Sequence, residues 1–193
     1  LMLRSILQKR SLFLQMEGNT APGNQQAVDR AGSICPVFFS VSYFSTKIAV
    51  AISDQSIGID LAPLRIPWKE IQDHLSLRER YDIETYRSDL TAEVCAIKWA
   101  NKEALGKILG TGIALNPRKI CLEKAEQKGV SFLNFCINGR EPCVAAIAYK
   151  RSPVRPTFNL ETTSSLGANF SVVHSQPLRL FAFMIDFPER MEA

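Results

Sequence analysis

The chain has 193 residues, a mass of 21.6 kDa and a formal net charge of +4. With 46% hydrophobic and 22% charged residues it carries enough apolar material for one core, which excludes a disordered tail protein. No apolar run reaches the roughly 18 residues of a membrane span, and so mild a positive charge suits an acidic partner or a phosphate ligand, not nucleic acid.

Residues 1–36 read as an amino-terminal extension and linker. Leu1 to Met16 carries three basic residues and no acid. It reads as an amphipathic helix against the body of the protein, or else as a targeting segment or an upstream extension. Residues 17–33 are polar and rich in Gly, Asn and Gln, which predicts a loop. The main domain then spans residues 37–193.

Three β-type runs open it: VFFSVSYF from Val37, KIAVAI from Lys47 and IGIDLA from Ile57. Ser53 to Ser56 is placed as a hairpin loop between the last two. Residues 67–109 read as helical. Pro67 opens the first piece, Ser76 and Glu79 form a capping-box pair, and Thr91 is the expected N-cap of the longest helix. On that helix Val94, Ile97, Trp99, Ala104, Leu105 and Ile108 recur at helical spacing, and Gly110 supplies a stop. Strands are expected at 118–122, 129–137 and 142–149, with a turn at Asn138-Gly139. A polar loop is expected over 151–169 and a last strand near 178–186. The segments 39–52 and 170–185 resemble one another, as two copies of one strand-turn-strand unit would.

Five cysteines without a CxxC pair read as reduced thiols, in keeping with a cytoplasmic protein. Two histidines, His74 and His174, leave no material for an HExxH zinc site. No Walker A motif is present, and Gly110-Thr111-Gly112 lacks the third glycine of a dinucleotide fingerprint. Two carboxylates stand out instead. Asp60 ends the run Ile57-Gly58-Ile59-Asp60, where Gly58 shares its face and leaves room for a ligand near the backbone. Glu103 lies four residues before Lys107 on one helix face. Taken alone, these are a strand-end residue and a surface ion pair. Brought together, they form the two-carboxylate, water-completed type of Mg²⁺ site that faces phosphates.

The spacing of these motifs resembles a known family. IGIDLAPL at 57–64, followed by WANKEALGKILGTG at 99–112, is similar to the signature of the 4′-phosphopantetheinyl transferase superfamily: a Gly-Ile-Asp strand, then a Trp-x-x-Lys-Glu-x-x-x-Lys helix. Leu75 to Glu79 resembles the element that falls between those motifs. Ser40 to Ser53 resembles the Ser-x-Ser-His element of the surfactin-type branch, with Tyr43 at the histidine and Ala62 at that branch's further acidic position. Asp186 to Glu189 resembles the same branch near its end.

The resemblance implies an α+β fold of antiparallel strands packed on a long helix, in a pseudo-twofold, two-lobed arrangement whose first lobe is shortened. It implies transfer of 4′-phosphopantetheine from coenzyme A to a serine of an acidic acyl or peptidyl carrier protein, with Mg²⁺ as cofactor. Asp60 and Glu103 match the metal ligands, and Glu103 also matches the base. Lys102 and Lys107 match lysines at the coenzyme phosphates, and Ser42 and Tyr43 match positions near its 3′-phosphate. The alternative is a protein on the same scaffold that binds coenzyme A or a carrier and turns over poorly.

Overall fold

A computed structural model describes the backbone at residues 12–13, 25–29, 34–85, 90–111, 117–151, 157–165, 168–176 and 180–186. Side chains are described over 38–85, 90–111 and 117–151, and at Ala182 and Met184. The structure is mixed α+β with antiparallel sheets.

A seven-stranded sheet has the order β1-β2-β3-β4-β10-β9-β8. Its strands are β1 (Leu12–Phe13), β2 (Gln25–Asp29), β3 (Ile34–Phe44), β4 (Lys47–Ser53), β8 (Thr157–Ser165), β9 (Ala168–Gln176) and β10 (Leu180–Asp186). A three-stranded sheet, β5-β7-β6, holds β5 (Ile57–Pro63), β6 (Val130–Ile137) and β7 (Cys143–Lys150). The helices are α1 (Trp68–Ile71), α2 (Leu77–Glu84), α3 (Thr91–Ile108) and α4 (Leu122–Gln127), with 3₁₀ turns at Gln72–His74 and Pro117–Lys119.

The small sheet is the middle layer. Along β7 the side chains alternate. Cys143, Ala145, Ile147 and Tyr149 join Ile57, Ile59 and Leu61 of β5 in a core against Ala49, Ala51, Ala182 and Met184 of the large sheet. Val144, Ala146 and Ala148 turn the other way, with Ala62, onto Cys95, Ala96, Ala100 and Ala104 of α3. A strand buried on both faces reads as a continuous apolar run, which is why CVAAIAY and IGIDLA show no polar alternation. Removing one such isoleucine from water contributes about 1.5–3 kcal/mol.

Helix α3 meets the sheet through a stripe of small residues. Ala96, Ala100 and Ala104 are fully buried, whereas Val94, Ile97, Trp99 and Ile108 pack from the sides. The approach is so close that a Cβ on Gly58 would lie 1.9 Å from the Ala104 carbonyl oxygen. The space beside Gly58, expected for a ligand, is therefore taken by helix backbone.

Several elements differ from the sequence expectation. The loop Ser53 to Ser56 does not close a hairpin. Both edges of β4 are occupied, by β3 and β10, so β5 leaves the large sheet and pairs with β7. Residues 118–122, expected as a strand, contribute a 3₁₀ turn and the start of α4. Thr91 is the first residue of α3, and Leu90 takes the N-cap position. Strand β2 lies within the stretch expected as a loop, and β8 within the expected polar loop over 151–169; both are polar strands that pair with a more apolar neighbour. The expected behaviour of Leu1 to Met16 falls outside the described residues, apart from the short β1. The two similar segments form the hairpins β3-β4 and β9-β10, and their inner strands β4 and β10 pair side by side.

Candidate active site

Ser40 and Ser42 are spaced by two on β3, so both side chains leave the same face, and both are buried. They meet the outer edge of β5. Ser40 Oγ accepts the Ile59 N–H at 3.0 Å, and Ser42 Oγ accepts the Leu61 N–H at 3.1 Å. The two sheets are thus joined by side-chain hydroxyls, which satisfy backbone donors that would otherwise be buried without partners. The Ser42 hydroxyl also donates to Asp60 Oδ1 at 2.9 Å.

Asp60 shares its face of β5 with Gly58 and Ala62, towards α3. Lys107, in the last turn of that helix, places its Nζ 2.9 Å from Asp60 Oδ1. The same ammonium donates to the carbonyls of Ile59 at 2.6 Å and Val41 at 3.2 Å. These three acceptors account for its three N–H donors. Lys107 therefore clamps the helix end onto β3 and β5 and holds a positive charge against Asp60.

Glu103 stands one turn before Lys107 on the same face. Its pKa is pushed up to about 7, first by burial and then by the negative charge of Asp60, with Lys107 pulling it back. Burial also raises the Asp60 pKa, more than Lys107, Ser42 and the Leu61 N–H lower it. The residues at 42, 60, 103 and 107 thus form one cluster: two mutually repelling carboxylates, a clamped lysine and an orienting hydroxyl. Lys107 relieves part of this repulsion, and a hard divalent cation is one group that could relieve more of it. Among the described residues no group of three or more His, Cys, Asp or Glu side chains could hold a metal ion. Two carboxylates with the remaining ligands drawn from water and phosphate suit Mg²⁺, which retains waters, and do not suit a caged structural metal.

The structure does not bring Lys102 to this cluster. Its side chain is only 2% exposed, and its Nζ donates to Glu79 Oε2 at 2.7 Å, to the Pro117 carbonyl at 3.0 Å and to the Ile120 carbonyl. Burial lowers its pKa, against the pull of Glu79. All three of its donors are occupied, so it fixes loop and helix and is not free to meet a phosphate. Tyr43 is also elsewhere. It alternates with Ser42 to the opposite face of β3 and is 81% exposed. Ser42, expected at a coenzyme phosphate, acts here as the residue that orients Asp60.

The chain matches no family model and no curated protein.

The serine seam and the Glu79–Lys102 pair escaped the sequence reading. The first had a visible signal, two serines at spacing two within an otherwise apolar strand. The second had none, because Glu79 and Lys102 lie on separate helices. Glu79 closes the capping box of α2 through Ser76, and its other oxygen accepts the Leu122 N–H at 3.3 Å. One carboxylate so ties α2, α3 and α4 together. Among the described residues no helix is long and apolar enough to cross a membrane.

Proposed function

We propose that this chain is a Mg²⁺-dependent 4′-phosphopantetheinyl transferase, with coenzyme A as donor and a serine of an acidic acyl or peptidyl carrier protein as acceptor. We also read its antiparallel sheets, with the paired hairpins β3-β4 and β10-β9, as the two-lobed fold of that family with a shortened first lobe. The observation that carries the reading is the meeting of Asp60, Glu103 and Lys107 from a strand and a helix 43 residues apart.

In the reaction the acceptor serine oxygen attacks the β-phosphorus of coenzyme A. The P–O bond within the pyrophosphate breaks and 3′,5′-ADP leaves. A serine hydroxyl near neutral pH is a poor nucleophile and needs a base whose pKa lies close to the working pH. We assign that base to Glu103, whose pKa is pushed up to about 7 by burial and by Asp60 in the absence of a cation, and which a bound cation would draw back towards the carboxylate form. Asp60 and Glu103 would hold Mg²⁺, which when bound supplies charge neutralisation at the pyrophosphate oxygens. Ser42 and Lys107 keep Asp60 oriented, and Lys107 adds positive charge to the same region. Lys102 takes a supporting role through Glu79, in place of the phosphate contact first expected of it.

The test is the intact mass of an apo acyl carrier protein after incubation with this protein, coenzyme A and Mg²⁺. The expected outcome is a phosphopantetheine-sized gain that disappears when Mg²⁺ is chelated and in Glu103→Gln. No gain across several carriers, with coenzyme A still bound, selects a silent binding protein on the same scaffold.

A further inference from the structure

An open sheet ends in edges, and each edge offers a row of unpaired N–H and C=O groups to any other strand. Most edges of this molecule are blunted. At one side of the large sheet β1 is only two residues long. At the other, β8 reads TFNLETTSS, a polar strand with a glutamate in its middle. The outer edge of β5 ends on the serine hydroxyls of β3. β6 has no such device. It reads VSFLNFCI, eight residues without a charge, a proline or a glycine. Among the described residues no strand pairs with its other edge. Its side chains are half-buried on both faces, and Cys136 is exposed.

The alternation of the ladder says which groups point outward. The N–H groups of Ile59 and Leu61 go to β3, so Asp60 is a residue of β5 that bonds to β7, opposite Ala146. Ala145 and Ile147 then bond to β6, opposite Phe135 and Leu133. The backbone groups of Val130, Phe132, Asn134 and Cys136 are left pointing away from the sheet.

We propose that β6 pairs antiparallel with β6 of a second copy of this chain, across a twofold axis at Leu133, so that two small sheets become one continuous sheet. Like faces stay together only if outward residues meet outward residues. Centred on Leu133, Val130 meets Cys136 of the second copy and Phe132 meets its Asn134. Every outward residue is then paired, and each pair exchanges two N–H···O bonds. Leu133 meets its own copy, and Phe135 lies beside Ser131. A second copy is the occupant this edge suits: it brings a strand of equal length, neutral throughout and apolar on both faces, and no charge enters the seam. The twofold uses up both edges, so the assembly closes. β7 separates β6 from β5 and Asp60, so the interface stands independently of the transfer reaction.

The experiment measures the mass of the full chain by sedimentation over a concentration series, beside Asn134→Pro and Cys136→Lys. Proline is tolerated where a strand's N–H faces away from its sheet. Asn134→Pro therefore removes an outward donor and keeps the ladder to β7. The expected result is a concentration-dependent rise from 21.6 kDa to twice that mass and no further. Association should weaken about tenfold or more in either variant. Should Asn134→Pro fail to fold, Cys136→Lys, at an exposed position, decides alone. The register has its own check in Val130→Cys. The new thiol faces Cys136 of the second copy at the roughly 5.5 Å Cα separation of a hydrogen-bonded pair, which a disulfide spans. Within one chain the two positions lie about 20 Å apart along β6, so no internal bridge competes. Diamide, which takes up the two thiol hydrogens, should give a covalent dimer faster than in the parent chain. A chain that stays monomeric leaves this edge to an extended segment of another protein and overturns the proposal. So do association that runs past two copies, a dimer unchanged in the variants, and crosslinking no faster than in the parent.

Discussion

Glu103 keeps its proton into a pH range where an ordinary glutamate has lost it. Its pKa in the folded chain is about 7 against a reference of 4.5, so the folded state binds that proton more tightly than the unfolded state. The resulting stabilisation is complete below pH 4.5 and is lost as pH rises through 7. Glu103→Gln removes this dependence. The variant should match the parent in urea unfolding near pH 4.5 and exceed it by about 1–2 kcal/mol at pH 8, the full shift being discounted for partial exposure. Equal stability of the two proteins at pH 8 contradicts the geometry. Because a metal needs the carboxylate form, added Mg²⁺ should raise the melting temperature more at pH 8 than at pH 6.

At the scale of elements, two contacts decide how α3 sits. The first is the backbone approach at Gly58. Gly58→Ala puts a methyl group where the Ala104 carbonyl stands, and the helix cannot retreat without opening its alanine stripe. A loss of about 2–4 kcal/mol in chemical denaturation is expected. The second is the buried pair of Lys102 with Glu79. Lys102→Met strands a carboxylate in the interior and should cost about 3–5 kcal/mol. Removing the exposed Arg65 from its 2.8 Å contact with Glu93 should cost less than about 1 kcal/mol. Comparable losses for these two lysine and arginine variants argue against the buried arrangement.

The whole molecule was legible in its local patterns and opaque in its connections. β3, β4, β5, β6 and β7 follow from apolar runs bounded by turn residues, and the capping box at Ser76 and Glu79 is present as the spacing predicts. The departure of β5 into a second sheet was not legible. It depends on β10, more than a hundred residues later, occupying the free edge of β4. In the candidate site, Glu103 and Lys107 could be picked out because they share one face of a periodic helix, and Asp60 because it is a lone charge in an apolar run. Lys102 could not be placed, because its partners come from a 3₁₀ turn, a loop and a neighbouring helix. Helical period tells which face a lysine occupies, but not whether that face is wet.

The serine seam gives β5 two kinds of amide in strict alternation. Those of Ile59 and Leu61 point across to β3 and end on hydroxyls. By the two-residue period of an antiparallel ladder, those of Gly58, Asp60 and Ala62 point to β7. Adjacent amides in one strand therefore report separate events in deuterium exchange, the parting of two sheets and the unzipping of one. In Ser40→Ala/Ser42→Ala, protection should fall at Ile59 and Leu61 and persist at their immediate neighbours. Five consecutive residues would then serve as an internal gauge of whether the layers separate before either one melts.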